Sequence, residues 1–592
     1  MTPNHVTWDL SGLYSGPDDE RIDGDLGRAK ELAEAFAGRY KGNIAAADGK
    51  TLLAAMKEYT DILALSYNPD LYALLVFSAD TSAPENGALM QRVSEQVSAV
   101  SVTLLFFDLE LMAMPEERLQ AAYEECPALS EYAHHIATVR AFNPYKLSEP
   151  EERIMEEKAN TGRRAFDRLF DQVLSSAVFR GRIKGEDREM NEAQVLSLLR
   201  SPDRAVREDA AHILTEGLKE HSGVLSFIFN TMVYDKSVDD RLRGFGYPQE
   251  SRHLSNELSR ETVELVIRTC RDNYGLVSRF YRRKKQLLGL RELTHVDRYA
   301  PLAAAEKEVS FEEARDIVLS SFGRFSDRFA SIARDFFDKR WIDAEPRQGK
   351  RGGAFCAHAD PAHNPYVLMS YMNRQDDVMT LAHELGHGIH AVLASRQNIL
   401  DCSATLPIAE NASTFGEMLV FEALVRDASR EEKIALYAEK IESVFATVFR
   451  QAAMYIFECR LHEARRSRGE LSVEAIGELW QDSLQEMFGD SLILGDEHKY
   501  WWIYVSHFIG TPFYVYAYSF GELMVLSLFA LYKKMGAPFV AKYEELLSGG
   551  GSQAPAELLG SMGFDITSPG FWKDGMDYIA GLIDEFEALC DN

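Results

Sequence analysis

The sequence predicts a mainly helical protein with one small β-sheet beside a single chemically loaded helix. Three observations predict it. Apolar residues recur at three- and four-residue spacing over most of the 592 residues. Strand-like alternation is concentrated at about 349–372. Directly after it, Asp377 to His390 carries His-Glu-x-x-His inside an apolar helical stripe.

The first 195 residues read as helix after helix. Ala29–Ala37, Thr51–Ser66, Met90–Met112 and Glu151–Val178 each carry the helical repeat with interspersed charges. The division expected is an N-terminal helical region, 1–195, and a catalytic region, 196–592, with no Pro/Ser tract or fixed-period repeat between them. A hydrophobic fraction of 46% is ample for a large core. Adjacent His134 and His135 face different sides of a helix, which argues against a shared metal. The net charge of −28 excludes a nucleic-acid partner from the expectation. Met1–His5 lacks the basic-then-apolar pattern of a secretory leader. Val102–Phe107 is stopped by Asp108 and Glu110, so no apolar run reaches membrane-spanning length. Six cysteines without paired spacing read as reduced thiols, and the expected location is cytoplasmic.

Residues 342–351 read as a loop. Gly349–Cys356 and Pro365–Met372 then read as a small sheet running into the next helix. Its edge could take an extended substrate by strand addition, and it could equally be an ordinary core hairpin. On the helix that follows, Val378, Leu381, Ala382, Leu385 and Ile389 form the buried stripe, and Asp376 and Asp377 stand where a cap and an acidic first turn belong. His383 and His387 leave one face a turn apart, a two-point grip for a tetrahedral metal, usually zinc. Glu384 follows as a general base that is not a ligand. Gly386 and Gly388 each cost about 1 kcal/mol against Ala in a helix, which predicts close approach of another backbone.

A third ligand is needed. The position ten residues after His383 is Leu393, so the His-x-x-Gly-x-x-His extension is missing, and His390 reads as a packing or supporting residue. Glu410 and Glu417 lie seven apart on the next helical segment and share a face. One could ligate zinc and the other orient a histidine; spacing alone does not choose. Farther on, Trp501–Phe520 is dense in aromatics. Tyr514 and Tyr518 are four apart on a helical stretch, and His507 precedes them; phenol and imidazole donors are what an oxyanion needs. The run of glycines 549–551 has no Lys-Ser/Thr after it and reads as a flexible loop.

His383-Glu384-Leu385-Gly386-His387-x-x-His390, followed by Ala409-Glu410-Asn411-Ala412-Ser413-Thr414, resembles the M3 family of zinc metallopeptidases, and within it the oligoendopeptidase F group. So do Trp8–Tyr14, Leu147–Ile154 with Thr161-Gly162 and Leu169-Phe170, and Leu547–Ser552 with Phe571-Trp572 and Gly575. The resemblance covers nearly the whole chain, with its chemical content between 349 and 521. It implies Glu410 as the third zinc ligand, leaving Glu417 to support a ligand. It implies that the His507–Tyr518 segment contacts substrate and stabilises the tetrahedral intermediate through His507, Tyr514 and Tyr518, with Tyr516 the weaker candidate. It implies two helical lobes around a deep substrate cleft, with the small sheet lying along it.

The expectation is a zinc endopeptidase with one Zn2+ per chain, acting on short peptides, with no nucleic-acid or membrane partner. Its parts are the sheet at about 349–372, the zinc site at 383–410 and the oxyanion segment at 507–518. The rivals are a metallocarboxypeptidase, for which no cation suited to a terminal carboxylate is identified in the sequence, and a non-catalytic peptide-binding protein, which sits poorly with an intact Glu384.

Overall fold

The computed structural model describes residues 6–302 and 308–591. Met1–His5, read above for a leader, lies outside them. The described chain is mostly helical and divides into two compact units. The first is Met1–Glu149, Glu306–Arg426 and Leu531–Asp565; the second is Pro150–Ala305, Asp427–Ala530 and Ile566–Asn592. The boundary expected at 195/196 falls within the helix Glu192–Leu198 of the second unit. Neither unit is continuous in sequence, whereas the expectation cut the chain once.

In the first unit, helices Glu20–Tyr40, Gly49–Ala79 and Pro84–Ala113 pack pairwise. Phe36, Tyr59 and Phe107 meet in one core where they join. Gly49–Ala79 and Pro84–Ala113 are long and apolar enough to cross a membrane by length and composition. This departs from the expectation, which looked for uncharged runs. Glu110, half-buried on the last of these helices, accepts from the N–H groups of Gly42 (2.6 Å) and Ile44 (3.0 Å) and so ties that helix to the turn after Glu20–Tyr40.

The sheet of this unit has three strands. Ile342–Asp343 runs parallel to Tyr366–Leu368, and Phe355–Ala357 pairs antiparallel on its other side, as an edge strand. The 342–351 stretch read as loop thus contributes a strand, too short at two residues to show a period. The buried Lys350 ammonium ties the sheet together. It donates to Asp343 Oδ1 at 2.7 Å and to the carbonyls of Asp343, Glu345 and Met369. Both strands of the hairpin, Phe355–Ala357 and Tyr366–Leu368, pack on the helix Gln375–Ala394.

The second unit is built around the 40-residue helix Arg204–Arg243. The helical stretch expected over Glu151–Val178 is two helices, Glu149–Ala159 and Arg163–Ser176, broken before Gly162. After them comes a hairpin that the reading did not separate, Phe179–Ile183 with Glu186–Met190. Lys184 and Gly185 both take positive φ at its two-residue turn, the backbone that suits strand twist. Arg430–Val444 continues through a π-helical turn, Phe445–Phe449, into Arg450–Arg468. Ser519 Oγ donates to the Val448 carbonyl at 2.8 Å in that turn, satisfying a group that a π turn displaces.

Candidate active site

The helix Gln375–Ala394 begins on Arg374, and Asp377 closes its first turn by accepting from the N–H groups of Met372 and Arg374. The cap is therefore Arg374, two positions before Asp376, and Asp376 and Asp377 both lie in the acidic first turn. Val378, Leu381, Leu385 and Ile389 are fully buried, as the stripe requires. A Cβ at Gly386 would lie 2.4 Å from the Ala412 carbonyl oxygen and 2.5 Å from Ser413 Cα. This is the backbone approach that the two glycines predict, although at Gly388 the neighbour is the Phe336 ring. The contact lets the helix Asn411–Asp427 cross tightly, and Tyr543 pins its start by donating to Asn411.

The crossing brings both glutamates onto one imidazole. Glu417 Oε1 lies 2.7 Å from His383 Nδ1, and Glu410 Oε2 lies 3.3 Å from His383 Nε2. Glu410 Oε2 is also 3.3 Å from His387 Nε2, and the two Nε2 atoms are 3.2 Å apart. A tetrahedral zinc with bonds of about 2.0–2.1 Å needs its ligand atoms about 3.3 Å apart, so this triangle fits one face of such a site. Glu417 fixes the tautomer: Nδ1 carries the proton, and the Nε2 lone pair faces the triangle. Ser413 Oγ donates to Glu410 Oε2 at 2.9 Å and holds that carboxylate in place.

Glu384 projects from the same helix and is buried, and its Oε2 has no hydrogen-bond partner. Burial raises its carboxyl above the ordinary range, partly opposed by His383 and His387. Beside it lies Cys356 of the edge strand, whose thiol is pushed up by burial and by the Glu384 charge. His390 is buried, its Nε2 has no hydrogen-bond partner, and it is not in the triangle of ligand atoms.

The aromatic segment forms a second cluster, in the second unit. His507 Nε2 is 3.2 Å from the Tyr518 hydroxyl. The Tyr514 ring stacks on the His507 ring with centroids 5.6 Å apart and planes 8° from parallel, and it meets Tyr518 edge-on at 4.9 Å. Burial lowers the His507 pKa, favouring the neutral imidazole. Tyr516 points elsewhere: it is buried, and its hydroxyl accepts from Asn256 Nδ2 at 2.8 Å.

The family model described as peptidase family M3 matches residues 197–578, and the one described as oligopeptidase F matches 110–179. The chain belongs to peptidase family M3. This M3 peptidase is 26% identical over 590 residues to the oligopeptidase PepF of Bacillus subtilis, an alignment covering 98% of this chain and 87% of that one. It is 24% identical to the group B oligopeptidase PepB of Streptococcus agalactiae, over 95% and 93% of the two chains. Its fold matches the crystal structure of oligoendopeptidase-F from Enterococcus faecium with a TM-score of 0.73 at 20% identity, covering 96% and 97%.

Within this M3 peptidase, His383, His387 and Glu410 are the group of side chains, among the described residues, whose ligand atoms converge for a metal. Sequence reasoning passed over Ser413 and Cys356. Ser413 was visible as the residue three after Glu410, where a hydroxyl can reach back along a helix turn. Cys356 had no such signal, because its approach to Glu384 is made by the sheet.

Proposed function

We propose that this M3 peptidase is a zinc endopeptidase that hydrolyses internal bonds of short oligopeptides. The observation that carries the reading is the triangle of His383 Nε2, His387 Nε2 and Glu410 Oε2, with the unpartnered buried oxygen of Glu384 on the same helix. The related proteins bear oligopeptidase names, which supports the substrate class.

One Zn2+ held by His383, His387 and Glu410 would supply Lewis acidity to a scissile carbonyl and to the attacking water. Glu384 takes the proton of that water on Oε2 as the new C–O bond forms, and returns it to the departing amine nitrogen as the C–N bond breaks. Glu417 keeps the His383 tautomer through the cycle. An extended peptide adds as a strand to the free edge of Phe355–Ala357, which runs beside Glu384. His507, Tyr514 and Tyr518 are assigned to the oxyanion on the family resemblance and on the donor chemistry of their cluster. The proposed location is the cytoplasm.

The test is mass spectrometry of defined peptides with free and blocked ends, using wild-type enzyme and Glu384→Gln. Internal cuts that persist with blocked termini support the endopeptidase. Stepwise loss from a free C-terminus would replace it by a carboxypeptidase. Glu384→Gln is expected to keep zinc and lose on the order of 10³-fold or more in kcat; full turnover by that variant would remove Glu384 from the mechanism.

A further inference from the structure

The segment that carries the proposed oxyanion donors contains a strained residue. Phe513 has φ +60°, the left-handed region that a bulky aromatic side chain rarely enters. It lies directly before Tyr514, whose ring stacks on His507. Such a conformation persists only where its surroundings over-determine it.

Two charged side chains from other helices grip this turn. Glu458, on Arg450–Arg468, is 1% exposed, and its Oε1 accepts from the Phe513 N–H at 2.9 Å. Arg252, on Glu250–Ser255, donates from Nε to the carbonyl of the preceding residue, Pro512, at 3.3 Å. The Phe513 ring is fully buried and lies against His462 (centroids 4.5 Å apart) and Tyr455 (6.2 Å apart). Glu458 and His462 are one turn apart on the same helix, so a single helical face holds both the amide and the ring of Phe513.

A buried carboxyl is a costly way to hold one N–H. Glu458 Oε2 has no hydrogen-bond partner, and no reacting group of the proposed mechanism touches it. Burial pushes its pKa up to about 8, so near neutral pH it holds the amide as a neutral carboxyl.

We propose that Glu458, with Arg252, is a positioning residue: it holds Thr511–Tyr514 in a left-handed kink and so sets Tyr514 and Tyr518 against His507. This rests on the oxyanion role given to those tyrosines above. Two nearly isosteric substitutions separate the hydrogen bond from packing. Glu458→Gln keeps an acceptor for the Phe513 N–H, and Glu458→Met fills the space without one.

Two readouts are taken on each, peptide turnover by the zinc-loaded enzyme and hydrogen exchange of the Phe513 amide. Glu458→Met is expected to lower kcat on the order of ten-fold with KM within about two-fold, and to speed Phe513 exchange by at least about ten-fold. Glu458→Gln is expected to restore both. Wild-type turnover and Phe513 protection in Glu458→Met would overturn the proposal, as would equal loss in Met and Gln. Should Glu458→Met not fold, a Phe513 amide in the wild type that exchanges as fast as an exposed loop overturns it. Tyr518→Phe is measured in parallel. If that variant turns over normally, the oxyanion assignment fails, while the exchange measurement still decides whether Glu458 holds the turn.

Discussion

Gly386→Ala tests whether the close helix crossing sets the metal triangle. The added methyl would meet the Ala412 oxygen at 2.4 Å and Ser413 Cα at 2.5 Å. Ordinary contact begins at 3.4 Å, so the crossing must open by 3.4 − 2.4, about 1 Å. Both obstacles are backbone and cannot swing aside. Glu410 stands two residues before Ala412, so it moves with them. Metal sites tolerate ligand displacements of about 0.2 Å, several-fold less than this opening. Overpacking costs about 1–3 kcal/mol, offset by about 1 kcal/mol from the better helix propensity of Ala. The variant should therefore fold with modest loss of stability yet bind zinc about 10–100-fold more weakly, the size of effect seen when support for a ligand is lost. Chelator competition measures the affinity, thermal unfolding of the apo protein the stability, and peptide cleavage at saturating zinc the residual turnover. Gly388→Ala is the comparison: its obstacle is the buried Phe336 ring at 2.2 Å and not the backbone that carries Glu410, so it should cost stability without a matching loss of zinc affinity. Wild-type zinc affinity in Gly386→Ala would refute the argument that this crossing sets the ligand geometry.

Three further outcomes follow from particular contacts. Glu417→Ala removes the partner of His383 Nδ1; zinc affinity should fall about 10–100-fold, with much of the turnover recovered at saturating zinc, as equilibrium dialysis and steady-state kinetics would show. Tyr518→Phe should lower kcat about 10²–10³-fold with little change in KM, whereas Tyr516→Phe should lose mainly stability, since its hydroxyl is spent on Asn256; the reverse pattern in peptide cleavage would reassign the donor. Burial holds the His295 pKa down to about 4 in the folded state, against about 6.5 unfolded. Below about pH 6.5 the unfolded chain takes up a proton that the folded chain does not, so stability falls as pH drops from about 6.5 to about 4, by roughly 2 kcal/mol at pH 5. Denaturant unfolding of wild type and His295→Gln at pH 7 and pH 5 measures this; equal losses in both would remove His295 as a source.

Much of the first unit's site was legible because its signals are local. The four-residue spacing placed His383 and His387 together, and the cost of Gly386 implied the backbone that Ala412 and Ser413 supply. Spacing could not rank Glu410 and Glu417, and the structure gives the reason: both reach His383, one at each ring nitrogen. Which nitrogen each meets depends on the crossing of two helices, a distance that no periodicity encodes. The hairpin at 179–190 was hidden because its outward positions are charged and its turn is Lys184-Gly185, without the Asn-Gly or Asp-Gly signal. The interleaved units were hidden because each is assembled from three separate stretches of chain.

The aromatic segment shows how a local argument can reach its residues by an incomplete route. Tyr514 and Tyr518 were paired because residues four apart on a helix share a face. The helix begins only at Tyr516, and Tyr514 stands in the turn before it. The two rings nevertheless meet, because Ala517 N–H donates to the Tyr514 carbonyl at 2.9 Å and Tyr518 N–H to that of Val515 at 3.3 Å. Those bonds give the turn a tight, nearly helical pitch. Phe513, immediately before, is at φ +60°, so the chain must reverse its local handedness to deliver Tyr514 there. No repeat within 501–520 requires that reversal. Its hydrogen-bond acceptor, Glu458, comes from 55 residues earlier in the chain. The tyrosine spacing therefore states which phenols can act together, and a buried carboxyl far away in sequence fixes the turn that lets them.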